Sequence, residues 1–125
     1  KYTHYAPDAP LHLIEGPPSA AARRIAALAN ESLLQGKTVG IIASEETMEE
    51  YGRKLSLSCK KLLLVCAGNR NKPDGIACRL FGLLREFDRQ KADVIFSEGF
   101  QGEGIGEAIM NRLEKAADTI EEVCL

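Results

Sequence analysis

Four short apolar runs punctuate the chain: "LHLIE" (Leu11 to Glu15), "TVGIIA" (Thr38 to Ala43), "KLLLVCA" (Lys61 to Ala67) and "DVIFSE" (Asp93 to Glu98). The last three are apolar almost without interruption. A strand with one wet face alternates apolar and polar residues, so runs of this kind predict strands covered on both faces. Between and after them, apolar residues recur at helical spacing. Ile25, Leu28, Ala29 and Leu33 share one helical face, and Gly36 stands just past its end as a stop signal. Ser44 can cap a second helix, which ends near Leu55 and carries Glu45 and Glu46 in its first turn, where negative charge is favoured. A third helix, entered through Pro73 and Asp74, presents Ile76, Leu80, Leu83, Leu84 and Phe87. A fourth presents Ile105, Ala108, Ile109, Leu113 and Ala116.

Four strand–helix units in succession predict an α/β fold: a small three-layer, Rossmann-like domain with a mainly parallel sheet of about four or five strands. Strand order is not encoded in this pattern. The opening stretch "KYTHYAPDAP" stays out of any helix, because Pro7 and Pro10 fix their own backbone and restrict their neighbours. The expected organisation is an extended arm, residues 1–10, followed by one folded domain, residues 11–125. A chain of 125 residues is long enough for a single core without staples.

Charge and composition narrow the function classes. Sixteen basic and eighteen acidic side chains leave a formal charge of −2, with the basic residues scattered, so direct nucleic-acid binding is not expected. No apolar run is long enough to cross a bilayer and no signal-peptide pattern is present, so the expected setting is cytoplasmic, away from membranes. The cysteines, Cys59, Cys66, Cys78 and Cys124, form no C-x-x-C pair and have no histidine at zinc-site spacing. They read as reduced thiols, with no metal site. The chain begins at Lys1 rather than Met, and the expectation is a piece of something longer.

Candidate chemistry is sparse. Gly36-Lys37-Thr38 mimics the end of a phosphate loop, but Glu31 stands where the earlier glycine belongs and the tripeptide leads into a strand instead of a helix. In "SEGFQGEGIGEA" the dinucleotide fingerprint fails, because Glu107 takes the third glycine's place; Glu98, Glu103 and Glu107 would repel phosphate. The loop "AGNRNKPDG" follows a strand, where open α/β sheets bind ligands. Asn69, Arg70, Asn71 and Lys72 are thus placed either for an anionic small molecule or as a solvated turn. No nucleophile or base accompanies them, and no catalytic residue is assigned. On the arm, Lys1 offers a point charge, His4 a group that titrates near neutrality, and Tyr2 and Tyr5 flat faces with hydroxyls.

The segment "KYTHYAPDAPLHLIEG" resembles the junction of two-domain L-threonylcarbamoyladenylate synthases, where K-Y-x-H-Y-x-P links a catalytic domain to a smaller C-terminal one. "GIGEAIMNRLEKAAD" is similar to that domain's ending, and "RLFGLLREFD" to one of its helices. The resemblance implies an accessory domain of an enzyme that combines ATP, threonine and bicarbonate into threonylcarbamoyl-AMP and pyrophosphate, for threonylcarbamoyladenosine in tRNA. It implies that the nucleotidyltransferase chemistry, with ATP and magnesium, belongs to the absent N-terminal domain. This chain alone is expected to hold no cofactor and to be inactive. Lys1, Tyr2, His4, Tyr5 and Pro7 become linker contacts to that domain or its nucleotide, with the linker gating the cleft. Expected partners are the N-terminal domain of the same chain and, as a further class, other tRNA threonylcarbamoylation proteins. Two alternatives stand beside this reading: a nucleotide or metabolite sensor using the strand-end loops, and a protein-interaction module.

Overall fold

The computed structural model describes residues 6–100 and 104–124. Its elements run β1 (Leu11–Glu15), α1 (Pro18–Leu34), β2 (Val39–Ala43), a single 3-10 turn (Glu45–Thr47), α2 (Met48–Lys54), β3 (Leu62–Cys66), α3 (Pro73–Arg89), β4 (Val94–Glu98), α4 (Ile105–Ala116) and β5 (Thr119–Glu122). The five strands form one sheet in the order β3-β2-β4-β1-β5, and every pairing is parallel. This is the α/β fold expected of the four apolar runs.

Two separate cores explain why those runs do not alternate. Ile14, Val39, Ile41, Val94 and Phe96 pack against Ala21, Ala22, Ile25, Ala26 and Ala29 of α1 and against Tyr51 and Leu55 at α2. The intervening strand residues Leu11, Leu13, Ile42 and Ile95 point the other way, onto Ile76, Leu80, Leu84 and Phe87 of α3 and Ile109 and Leu113 of α4. A parallel sheet covered by helices on both faces must be apolar on both. The alanine-rich face of α1 brings its backbone close to the sheet, while α3 and α4 use larger side chains.

The ends of the elements follow local chemistry. Gly36, at φ +82°, turns the chain out of α1 in a left-handed conformation that a side chain would disfavour. Pro73 occupies the first turn of α3, where its missing N–H costs nothing. Ser44 begins the short 3-10 turn rather than α2 itself; Thr47 N donates to its carbonyl, and Ser44 N donates to Thr47 Oγ1.

Connectivity then creates a crevice. The chain steps from β1 through β2 to β3 with α1 and α2 on one face, and returns through β4 to β5 with α3 and α4 on the other. At the carboxyl ends of the neighbouring strands β2 and β4 the outgoing segments therefore part to opposite sides. Open α/β sheets characteristically place functional groups at such a point.

Candidate functional site

Glu98, the last residue of β4, stands in this crevice and is fully buried. Its carboxylate accepts four hydrogen bonds. Arg70 Nη2 donates at 2.6 Å and Ser44 Oγ at 3.0 Å to Oε1. Thr47 Oγ1 and Tyr51 Oη, each at 2.6 Å, donate to Oε2. The three hydroxyl residues are buried with it. A buried carboxylate is costly unless it is both paired and fully hydrogen-bonded, and here both conditions are met. Burial, followed by the adjacent negative charge of Glu98, raises the Tyr51 phenol above its ordinary pKa, so it serves as a permanent donor.

Arg70 is spent on the same cluster. Its Nε donates to Ser44 Oγ at 3.0 Å, its Nη1 to the Gly99 carbonyl at 2.9 Å, and its guanidinium lies 5.0 Å from the centroid of the Phe100 ring. The loop carrying it is docked on the 3-10 turn: Arg70 N donates to the Glu46 carboxylate, and Asn69 Nδ2 to Glu45 Oε1. One side chain thus ties the loop after β3 to the ends of β2 and β4.

The four residues of the candidate ligand loop therefore separate. Arg70 turns inward, whereas Asn69, Asn71 and Lys72 line an open depression of about 640 Å3 at the start of α3, together with Glu45, Asp74 and Arg79. Arg79 is held there by the Ala67 carbonyl, which its Nη1 reaches at 2.8 Å. Two cations and two carboxylates share this lining.

The described part of the arm, residues 6–10, meets the domain at its other end. Lys1, Tyr2, His4 and Tyr5 fall outside the described residues; Pro7 is half-buried. Beyond it, Asp8 N donates to Asp88 Oδ1 at 2.8 Å, Ala9 is buried, and the Pro10 carbonyl accepts from Ile95 N at 2.9 Å. These contacts join the starts of β1 and β4, while Glu98 ends β4. A five-residue strand spans roughly 15 Å. Residues 8–10 and the crevice are therefore at opposite ends of β4.

Sequence reasoning took Ser44 as a helix cap and Glu98 as a source of repulsion, and missed their meeting. A usable signal existed: an acidic residue ending a run that reads as buried on both faces requires partners. Among the described residues, no group of three or more His, Cys, Asp or Glu side chains could hold a metal ion, and no helix is long and apolar enough to cross a membrane. All four cysteines are free.

Residues 1–118 match the family model described as "Threonylcarbamoyl-AMP synthase, C-terminal domain". The chain is 42% identical over 117 residues to the threonylcarbamoyl-AMP synthase of Bacillus subtilis, covering 94% of this chain and 30% of that protein. It is 36% identical over 117 residues to the Pyrococcus abyssi protein of the same name, with the same coverage. Among solved structures, Pyrococcus abyssi Sua5 complexed with L-threonine superposes with a TM-score of 0.75 at 35% identity, covering 98% of this chain and 32% of that one. A Pyrococcus abyssi Sua5 with a His-Tyr pair replaced by alanines gives 0.77 at 33% identity, covering 95% and 31%. The isolated C-terminal Sua5 domain of a Pyrococcus horikoshii protein gives 0.68 at 30% identity, covering 94% of this chain and 100% of that one. The chain thus spans about 30% of the length of the curated relatives it matches.

Proposed function

Since the chain belongs to the family of threonylcarbamoyl-AMP synthase C-terminal domains, we propose that it serves as the accessory domain of such an enzyme and holds the linker that gates a catalytic cleft built by the preceding polypeptide. The reaction is the condensation of ATP, threonine and bicarbonate into threonylcarbamoyl-AMP, with release of pyrophosphate, supplying threonylcarbamoyladenosine formation in tRNA. ATP and magnesium are handled by the catalytic part, in a cytoplasmic setting with which four free cysteines agree.

The observation that carries this reading is the anchoring of the arm. Asp8 N donates to the Asp88 carboxylate of α3, the Pro10 carbonyl accepts from Ile95 N of β4, and Ala9 between them is buried, so the domain fixes one end of the segment that carries Lys1, Tyr2, His4 and Tyr5. His4-Tyr5 is the one His-Tyr dipeptide in the chain, and a His-Tyr pair is what the substituted Pyrococcus abyssi protein lacks. A histidine and a tyrosine supply the donors and flat faces suited to a nucleotide and its phosphates. The fully occupied carboxylate of Glu98 supports a structural role for the crevice, without a reactive group for catalysis.

The test has two parts. The 125-residue chain mixed with ATP, magnesium, threonine and bicarbonate should form no threonylcarbamoyl-AMP, and robust formation would overturn the accessory role. In the longer chain, replacing His4 and Tyr5 with alanine should lower turnover without moving the melting temperature; unchanged kinetics would remove the gate.

A further inference from the structure

We propose that the depression between α1 and β5, floored by His12 and Phe96, binds a free nucleoside monophosphate, with the base on the two rings and the phosphate at Lys37. This goes beyond the accessory role above and does not depend on the linker.

The floor follows from the strand register. His12 of β1 stands level with Phe96 of β4 on one side and with Thr119 of β5 on the other. The imidazole and phenyl centroids are 5.5 Å apart, with the ring planes inclined by 30°. Leu11, Leu13 and Ile14 of the same strand are buried, whereas His12 is half-buried and lines an open depression of about 600 Å3. An aliphatic side chain, such as that of Ile14 two residues on, would serve packing at this position better than an imidazole. The ring is also held in place, because Nδ1 lies 2.6 Å from Thr119 Oγ1. Nε2 has no partner among the described residues, and the two rings offer a flat surface on which a base can stack.

Groups on α1 and just beyond it supply the rest. Glu31, Ser32 and Lys37 line the same depression, and among the described residues their side chains make no hydrogen bond or ion pair. Glu121 on the opposite wall is already neutralised by Arg24 at 2.7 Å. Val39 is level with Val94, so Lys37 stands four residue steps from Phe96 toward the amino end of the sheet, roughly 13 Å of strand. The lysine side chain spans part of that distance, which leaves a sugar's length between the ring floor and the ammonium.

These positions select the ligand. Sugar hydroxyls donate to the Glu31 carboxylate and Ser32, and Lys37 takes the phosphate as a point charge. An aromatic acid without hydroxyls would set its own negative group beside an unsatisfied Glu31. Among the described residues lining the depression, Lys37 is the one lysine or arginine, which suits a single phosphate and not an RNA strand. The volume, and an apolar floor with few polar groups, are those of small-molecule sites.

The C-terminal Sua5 domain of Pyrococcus horikoshii was solved in isolation, so the 125-residue chain is the unit to test. NMR follows the His12 imidazole, assigned with His12→Gln, and calorimetry reads affinity for AMP, UMP, the matching nucleosides and ribose 5-phosphate. At least one monophosphate should bind saturably and shift the His12 signals. Its nucleoside and ribose 5-phosphate should each bind about tenfold more weakly, through loss of the phosphate contact and of stacking. Lys37→Gln should erase the advantage over the nucleoside at an unchanged melting temperature, and His12→Gln should erase that over ribose 5-phosphate. Absence of saturable binding by both monophosphates overturns the proposal. Equal affinity for ribose 5-phosphate does so too, as does a bound nucleotide that leaves the His12 signals in place. Tighter binding of a single-stranded oligonucleotide overturns the free ligand in favour of RNA.

Discussion

Arg70 Nη2 lies 2.6 Å from Oε1 of Glu98, joining a loop residue to the fully buried end of a strand 28 residues later in the chain. The pair is the joint of the fold's upper end. It fills the crevice between β2 and β4 from within, and the same guanidinium holds Ser44 and the Gly99 carbonyl.

Removing the cation should therefore be costly. Arg70→Ala leaves a buried carboxylate with hydroxyl donors alone, and a loss of about 3 kcal/mol in unfolding free energy is expected. Glu98→Gln keeps the shape and releases the need for the cation. Urea denaturation of Arg70→Met, Glu98→Gln and the double variant should give a coupling energy above about 1 kcal/mol. Strict additivity would show that the two groups do not depend on each other.

Tyr51 makes the same cluster sensitive to alkali. Its hydroxyl is buried and donates to Glu98, which holds its pKa above the ordinary phenol value. In the unfolded chain the phenol ionises near pH 10, while the folded protein keeps its proton. Above that pH the native state binds more protons, so stability should fall by up to about 1.4 kcal/mol per pH unit. Tyr51→Phe should be weaker at pH 7 by about 1 kcal/mol, through the lost hydrogen bond, yet should show a flatter alkaline slope. Identical slopes for the two proteins between pH 9 and 11 would remove Tyr51 from the account.

How much of this was legible in the chain depends on the range of the interactions involved. Strands β1 to β4 were readable because burial on both faces writes itself into consecutive residues such as Ile41, Ile42 and Ala43. β5 carries no such record: its residues, Thr119–Glu122, are mostly exposed, and it is a strand because it pairs with β1 and because Asp118 and Leu11 exchange hydrogen bonds. The site was illegible for a related reason. Ser44, Thr47, Tyr51 and Arg70 reach Glu98 across separations of 28 to 54 residues, and only strand order brings them together. Order in turn depends on which face each helix covers, a property of tertiary packing. The anchoring contact from Asp8 to Asp88 spans 80 residues and was equally invisible.

Gly40 sits close against the second core. A Cβ there would stand 2.9 Å from both Cδ1 and Cε1 of Phe87. The ring is fully buried and cannot move aside without displacing its neighbours, so Gly40→Ala should destabilise by about 1–3 kcal/mol through overpacking. Phe87→Leu opens space but leaves a gap of its own when Gly40 is intact. Combining the two should therefore cost less than the sum of the single changes, as read by thermal unfolding of the four proteins. A Gly40→Ala variant as stable as the parent would mean the contact is loose.

The remaining prediction concerns the carboxyl end of β1, where Glu15 is paired in register with Glu122 of β5. Burial, then the charge of Glu114, a hydrogen bond to it and the charge of Glu122 all raise the Glu15 pKa above its ordinary value of 4.5. An acid whose pKa rises on folding binds more protons in the native state across the window between its two pKa values. Its contribution is thus most favourable below the unfolded pKa and is lost as pH rises through the folded one. Glu15→Gln removes the like-charge penalty and should stabilise the protein at pH 7 by about 0.5 kcal/mol, the scale of like charges opposed across neighbouring strands. The gain should shrink toward zero below roughly pH 4, where both states of the parent carry the proton. Guanidinium chloride would mask a charge effect, so urea melts at pH 7 and pH 4 are the appropriate comparison. A gain of equal size at both pH values would trace the effect to packing instead of charge.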